Sequence, residues 1–215
     1  MSSPTLETRA YQELRRRIIF AEYMPGTLLS ENDLAEQLSM SRTPIRAAIS
    51  LLVTEGFVES YRGRGVLVKE ISFREYTEIL EVLISLQLYV INAVERRNLK
   101  FDLQELQRHL ERQQQAKDSG DIPGYYVSYL DFVETMIYTI RNQHMLGVLE
   151  QTKGKFLYRM ISYRKQFPHH QPYKSLESNQ KAYEALVKGD LDAARSEIMG
   201  IYTATYETLI MNGII

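Results

Sequence analysis

Arg42 and Arg46 lie one helical turn apart in the run Ser41-Arg42-Thr43-Pro44-Ile45-Arg46, which opens with a good helix N-cap and contains no acid. Residues advance by about 100° around a helix, so Arg42, Thr43, Arg46, Ala47 and Ser50 fall within an arc of roughly 140°. Beside it lies an apolar arc of Ile45, Ala48, Ile49 and Leu52. One arc packs inward and the other faces out. A guanidinium fork matches the acceptors on a guanine edge, hydroxyls suit phosphate oxygens, and the free N–H groups of a helix start favour an anion. The chemistry on offer is capture of nucleic acid rather than bond-making.

A second basic cluster follows at Arg62-Gly63-Arg64-Gly65. It is flanked by Phe57-Val58-Glu59-Ser60-Tyr61 and Val66-Leu67-Val68-Lys69, where the pattern changes from helical to extended, and this predicts a β-hairpin. Gly63 and Gly65 supply positive φ, and Arg62 and Arg64 sit at the tip, within reach of a nucleic-acid backbone or minor groove. Alone, each cluster fits a solvated helix face or an ordinary hairpin equally well. Their order and spacing are more specific.

The elements that position these residues can be read from apolar periodicity and caps. Leu6 to Glu22 is a predicted helix with Leu14, Ile18 and Ile19 on one side, stopped by Pro25-Gly26. Ser30 is a good N-cap with Asp33 at the third helical position, and Leu34 and Leu38 give Ser30 to Leu38 an apolar stripe. A third helix runs from Ser41 to Gly56. Two short helices joined by a tight turn form a helix-turn-helix, and the hairpin makes it winged.

A boundary is expected at Glu70 to Ser72, dividing residues 1–70 from an all-α antiparallel bundle at 71–215. Helices are predicted from Ser72 to about Asn98, Asp102 to Lys117, Asp121 to Ile140, Gln143 to Tyr163, Tyr173 to Val187 and Leu191 to Leu209. The fold class is thus mainly α. The first bundle helix is apolar on nearly every side between Ile79 and Ile91, which implies burial in the bundle centre or against a second subunit. Its apolar stretch, Ile79 to Val94, is short for a membrane span and contains Glu81, Gln87 and Asn92, so no membrane role is expected.

Composition narrows the function classes. A chain of 215 residues, 44% hydrophobic and 25% charged, suits two modest folded domains. It has no cysteine, which removes disulfides, thiolate metal sites and cysteine nucleophiles together, and fits a cytoplasmic protein. The amino terminus lacks the apolar core of a signal peptide, so export is not expected. There is no Gly-x-Ser-x-Gly, phosphate loop or zincin motif, and Asp131 with Glu134 is an ordinary i, i+3 carboxylate pair, so an enzyme is the weaker reading. A third reading uses the winged helix for protein contacts.

The formal net charge of −1 looks unfavourable for a nucleic-acid binder. Residues 1–70 hold nine Lys/Arg and nine Asp/Glu, yet no acid occurs from Gln37 to Thr54 or from Ser60 to Lys69, where Arg42, Arg46, Arg62, Arg64 and Lys69 lie. Local potential at the phosphates sets this part of binding.

Leu29-Ser30-Glu31-Asn32-Asp33-Leu34-Ala35-Glu36-Gln37-Leu38, Ser41 to Arg46, Glu55-Gly56-Phe57-Val58 and Arg62-Gly63-Arg64-Gly65-Val66 closely resemble the winged-helix signature of the GntR transcription regulators. The resemblance implies that Arg42, Thr43 and Arg46 meet DNA, with Ser41, Arg62, Gly63 and Arg64 around them. Asn32 stands where some members carry a further DNA-contacting arginine. Burial of the apolar first bundle helix against a second subunit would make a homodimer, and two-fold pairing of winged helices predicts a pseudopalindromic double-stranded operator.

Asn179-Gln180-Lys181-Ala182-Tyr183, Gly189 to Ala194 and Met199-Gly200-Ile201-Tyr202 resemble the last two helices of the FadR-type ligand-binding domain. The resemblance implies a small-molecule effector. Many members hold a divalent metal with one aspartate and three histidines; the matching positions here are Asp131, Thr135, Asn179 and Tyr202, a poor ligand set, so no metal or other cofactor is expected. Leu83 and Gln87 fall where metal-binding members carry an arginine and a glutamate. The expected pocket is Leu83, Gln87, Asp131, Thr135, Asn179 and Tyr202, suited to something larger or less charged than a small carboxylate. The 15 tyrosines could wall such a cavity or simply fill the core, and the domain could serve dimerisation alone. His109, His144, His169 and His170 have no metal-ligand spacing and are expected at the surface or in loops.

Overall fold

The computed structural model describes residues 4–61, 63–168 and 174–211, the backbone alone at 174 and 205–211. Two compact units make up the chain: Met1–Ser72 with Tyr158–Gln166, and Phe73–Leu157 with Phe167–Ile215.

In the first unit, helix α1 (Leu6–Ile19) is capped by Thr5, whose hydroxyl accepts from the Thr8 amide at 3.2 Å. It ends before the expected Glu22 because Ala21 takes a left-handed φ of 51°. Helix α2 (Glu31–Gln37) is capped by Ser30 at the Asp33 amide, and a left-handed Ser39 turns the chain into α3 (Arg42–Thr54). Pro44 is tolerated in the first turn of α3, where an amide has no intrahelical partner. Ile45, Ala48, Ile49 and Leu52 are buried, while Arg42, Thr43, Arg46 and Ser50 are exposed, which is the two-arc division their spacing dictates. Leu14 and Ile18 of α1, Leu34 of α2 and Phe57 are buried too, and α1 and α2 both pack on α3.

The wing contains more than a hairpin. Strands β2 (Val58–Tyr61) and β3 (Gly65–Val68) pair antiparallel, and a two-residue strand β1 (Leu28–Leu29) adds to the other edge of β3, giving the order β1-β3-β2. Gly65 closes the turn with φ +115°, and a Cβ there would lie 2.7 Å from the Leu29 carbonyl oxygen. Only glycine lets β1 approach so closely.

In the second unit, α4 (Phe73–Arg97), α5 (Leu103–Ser119), α6 (Ile122–Tyr138), the first part of α7 (Gln143–Gln166), α8 (Lys174–Lys188) and α9 (Leu191–Met211) form an all-α bundle. Asp102 and Asp121 cap α5 and α6, and Gly120 ends α5 in the left-handed conformation. Helix α6 is a central element, packing on both α5 and α4. Phe156 of α7 stacks on Tyr129 at 5.3 Å between ring centroids and meets Tyr126 and Tyr76 at 6.1 and 6.2 Å. These tyrosines are core. Helix α4 is long and apolar enough to cross a membrane, but half of its most apolar window is buried inside the protein, as a bundle helix requires.

Candidate functional site

The starts of α2 and α3 and the wing meet around one open cleft of about 720 Å³ in the first unit. Leu28, Leu29, Ser30, Glu31, Asn32, Asp33, Arg42, Arg46, Tyr61, Gly63 and Arg64 are among its lining residues. Asn32, Arg42, Arg46, Gly63 and Arg64 are therefore brought together, while Arg62 lies outside the described residues. Ser41 occupies the N-cap position of α3 but makes no side-chain capping bond, and Thr43 is exposed within the first turn. The first amides of α3 thus have no side-chain cap competing for them.

Sequence reasoning passed over Glu31, the first residue of α2. Its Oε2 accepts from Arg46 Nε at 2.8 Å and from an Arg42 terminal nitrogen at 3.4 Å. The bond from Arg46 outweighs the opposing effect of desolvation and holds the Glu31 carboxyl below its ordinary range. It is ionised at neutral pH. Both arginines remain more than half exposed, so their outer N–H groups are open to a ligand.

In the second unit, Leu83 and Gln87 are buried one turn apart on α4, and Gln87 Nε2 donates to the Leu83 carbonyl at 3.1 Å. That bond fixes the carboxamide and leaves Gln87 Oε1 without a partner. Gln87 faces the buried Tyr129 hydroxyl, which burial pushes above its ordinary range and which makes no hydrogen bond of normal geometry. Asn179 Nδ2 donates to Gln113 Oε1 at 3.4 Å, and Gln113 reaches Ser175 Oγ at 3.4 Å.

His109 corrects the expectation that the histidines are surface or loop residues. It is buried on α5, with Nε2 3.0 Å from Thr135 Oγ1 and Nδ1 without a partner. His144 is exposed, and His169 and His170 lie outside the described residues. His109 and Gln113 share a helical face with Leu106, Leu110 and Ala116, and that periodicity is the signal that would have placed them inside.

The aspartate-and-histidine metal cage fits these residues poorly. Asp131 is half-buried and its carboxyl is raised above the ordinary range, chiefly by desolvation, against the lowering influence of His109 and Lys153. Thr135 is engaged with His109, Asn179 with Gln113, and Tyr202 donates its hydroxyl to Glu81 at 2.8 Å. Among the described residues no group of three or more His, Cys, Asp or Glu side chains could hold an ion.

Two family models match the chain. The family model described as bacterial regulatory proteins, gntR family, matches residues 6–68, and the FCD domain model matches residues 78–203. The gluconate operon transcriptional repressor of Bacillus licheniformis is 29% identical over 153 residues, 71% of this chain and 63% of that protein, so the match spans less than two thirds of the repressor. The uncharacterized HTH-type transcriptional regulator YdhC of Bacillus subtilis (strain 168) is 22% identical over 201 residues, 93% of this chain and 88% of that one. Among solved structures, E. coli McbR/YncC superposes with a TM-score of 0.75 at 24% identity, covering 98% of this chain and 99% of that one. A transcriptional regulator GntR from Rhodococcus sp. RHA1 gives 0.79 at 21% identity over 95% and 97%. At these identities the two structures establish the fold. The matched families are transcription regulators and not enzymes, and this chain belongs to the gntR family of bacterial regulatory proteins, with an FCD domain following its winged helix-turn-helix.

Proposed function

We propose that two copies of this chain bind a pseudopalindromic operator in the cytoplasm, with an affinity set by a small-molecule effector held in the helical unit. The observation that carries the DNA half is the convergence of Asn32, Arg42, Arg46, Gly63 and Arg64 on one cleft beside the uncapped start of α3. An arginine fork from the first turns of such a helix reads guanine in the major groove, while the wing tip meets backbone or minor groove. Pairing is supported by Val82 and Tyr89, two large apolar side chains seven residues apart on the face of α4 that the bundle leaves open, with Ser85 between them. Two-fold pairing of the reading heads matches a two-fold site.

The effector half rests on the FCD match and on three buried polar atoms that make no hydrogen bond of normal geometry, Gln87 Oε1, Tyr129 OH and His109 Nδ1. With Leu83 and Gln87 in place of charged groups, and Asp131, Thr135, Asn179 and Tyr202 a poor metal set, a largely uncharged hydrogen-bonding effector suits this interior. The tight Tyr129 and Phe156 stacking favours a second reading, in which the helical unit only dimerises. The two separate on whether any small molecule changes operator affinity.

The test is selection of binding sites by the full chain from a random duplex library, followed by titration of Arg46→Ala on the enriched duplex. The expected results are two half-sites in inverted repeat and a loss of about 1–3 kcal/mol on substitution. Enrichment of no sequence, or unchanged affinity in Arg46→Ala, overturns the mechanism.

A further inference from the structure

We propose that Glu31 is a specificity-determining residue of the reading face, aiming Arg46 and Arg42 at base edges and opposing their capture by phosphates at random sequence. This rests on the operator reading above. The geometry is that of a shared anchor: one carboxylate oxygen accepts from both arginines, which lie a turn apart on α3. Arg46 is held through Nε, which leaves its two terminal nitrogens as an outward pair, the arrangement that fits O6 and N7 of guanine. Glu31 Oε1 has no hydrogen-bond partner among the described residues, so it is free to accept from a cytosine amino group beside that guanine.

An anion at this position carries an electrostatic cost. DNA is a polyanion, and non-specific affinity comes almost wholly from lysine and arginine neutralising phosphates. A carboxylate bound to two of the three described cleft arginines, Arg42, Arg46 and Arg64, lowers that background affinity. On the correct base edges, aligned donors and the Oε1 acceptor compensate; on random sequence nothing does. Glu31 thus acts on the difference between two affinities, where specificity resides.

The experiment uses the full chain with two probes, the duplex it enriches from a random library and a scrambled duplex of equal length, titrated over a salt series. Glu31→Gln keeps the shape and removes the charge. It is expected to bind the scrambled duplex roughly three- to tenfold tighter, to steepen the salt dependence by about one counterion, and to lower the enriched-to-scrambled ratio. Glu31→Asp keeps the charge but shortens the reach, so the scrambled affinity stays at the wild-type value while the enriched affinity falls. An unchanged ratio in both variants overturns the inference. So does an equal loss on both probes with a lowered thermal midpoint, which marks a structural role. A wild-type chain that enriches no sequence overturns the operator reading itself, and this inference with it.

Discussion

Tyr158 of α7 donates its hydroxyl to the Lys69 carbonyl at 2.8 Å, 89 residues back along the chain, and sets its ring edge against Phe57 at 6.1 Å between centroids. The side chain is fully buried, and burial pushes its phenol above the ordinary range. The end of α7 makes further bonds inside the same unit. Lys165 Nζ reaches the Phe20 and Ala21 carbonyls at 3.0 and 2.9 Å, satisfying acceptors just past the end of α1, and Arg159 pairs with Glu70 at 3.3 Å. A segment remote in sequence therefore completes the core behind the wing.

Tyr158→Phe keeps the ring and loses the hydroxyl bond, so a loss of about 1 kcal/mol in urea unfolding is expected. Tyr158→Ala also empties the space against Phe57 and should cost about 3–5 kcal/mol. Equal effects of the two substitutions would show that the ring is not packed as described.

Gly65 and Gly63 separate backbone conformation from available space. At Gly63, φ is +72° and an added Cβ meets nothing within 4 Å, so Gly63→Ala should cost only about 1 kcal/mol for the left-handed conformation. At Gly65 the added carbon also meets the Leu29 carbonyl, a backbone atom that can move only by breaking the β1 pairing. Gly65→Ala is expected to lower the thermal midpoint further and to weaken DNA binding by displacing Arg64. Matching midpoints for the two variants would refute the close approach.

Strand β1 also shows where the sequence was hard to read. A two-residue apolar pair, Leu28-Leu29, has no periodicity, and its pairing with Val66 and Leu67 is set by tertiary structure alone. Helix starts were legible because capping is local: Ser30, Asp102 and Asp121 each accept from an amide three residues on. The two arcs of α3 were legible because every residue in them obeys one period. His109 and Gln113 were missed since a polar side chain on an apolar stripe is inside only when the neighbouring helix supplies a partner, as Thr135 and Ser175 do. Glu31 was missed for the opposite reason. Its partners lie 11 and 15 residues away on another helix, beyond any local pattern.

Asp131 carries a pH prediction that also tests the metal question. Its folded carboxyl is raised above the ordinary value, first by desolvation and further by Glu134, with His109, Lys153 and Arg112 opposing. A carboxyl raised on folding binds its proton more tightly in the native state, so stability falls as pH rises through the unfolded value toward the folded one. Above both values the cost of the buried charge is fully present. Asp131→Asn removes that cost and should raise the thermal midpoint at pH 7. The gain should shrink to nothing as pH drops below the ordinary carboxylate range near ~4, where the wild-type group is neutral as well. Were Asp131 instead anchoring a divalent ion, the carboxamide of Asp131→Asn would be a poorer ligand, the substitution would lower the midpoint at pH 7, and a chelator would do the same to the wild-type chain. The expected result is a higher midpoint for Asp131→Asn, no chelator effect, and less than one metal ion per chain by elemental analysis.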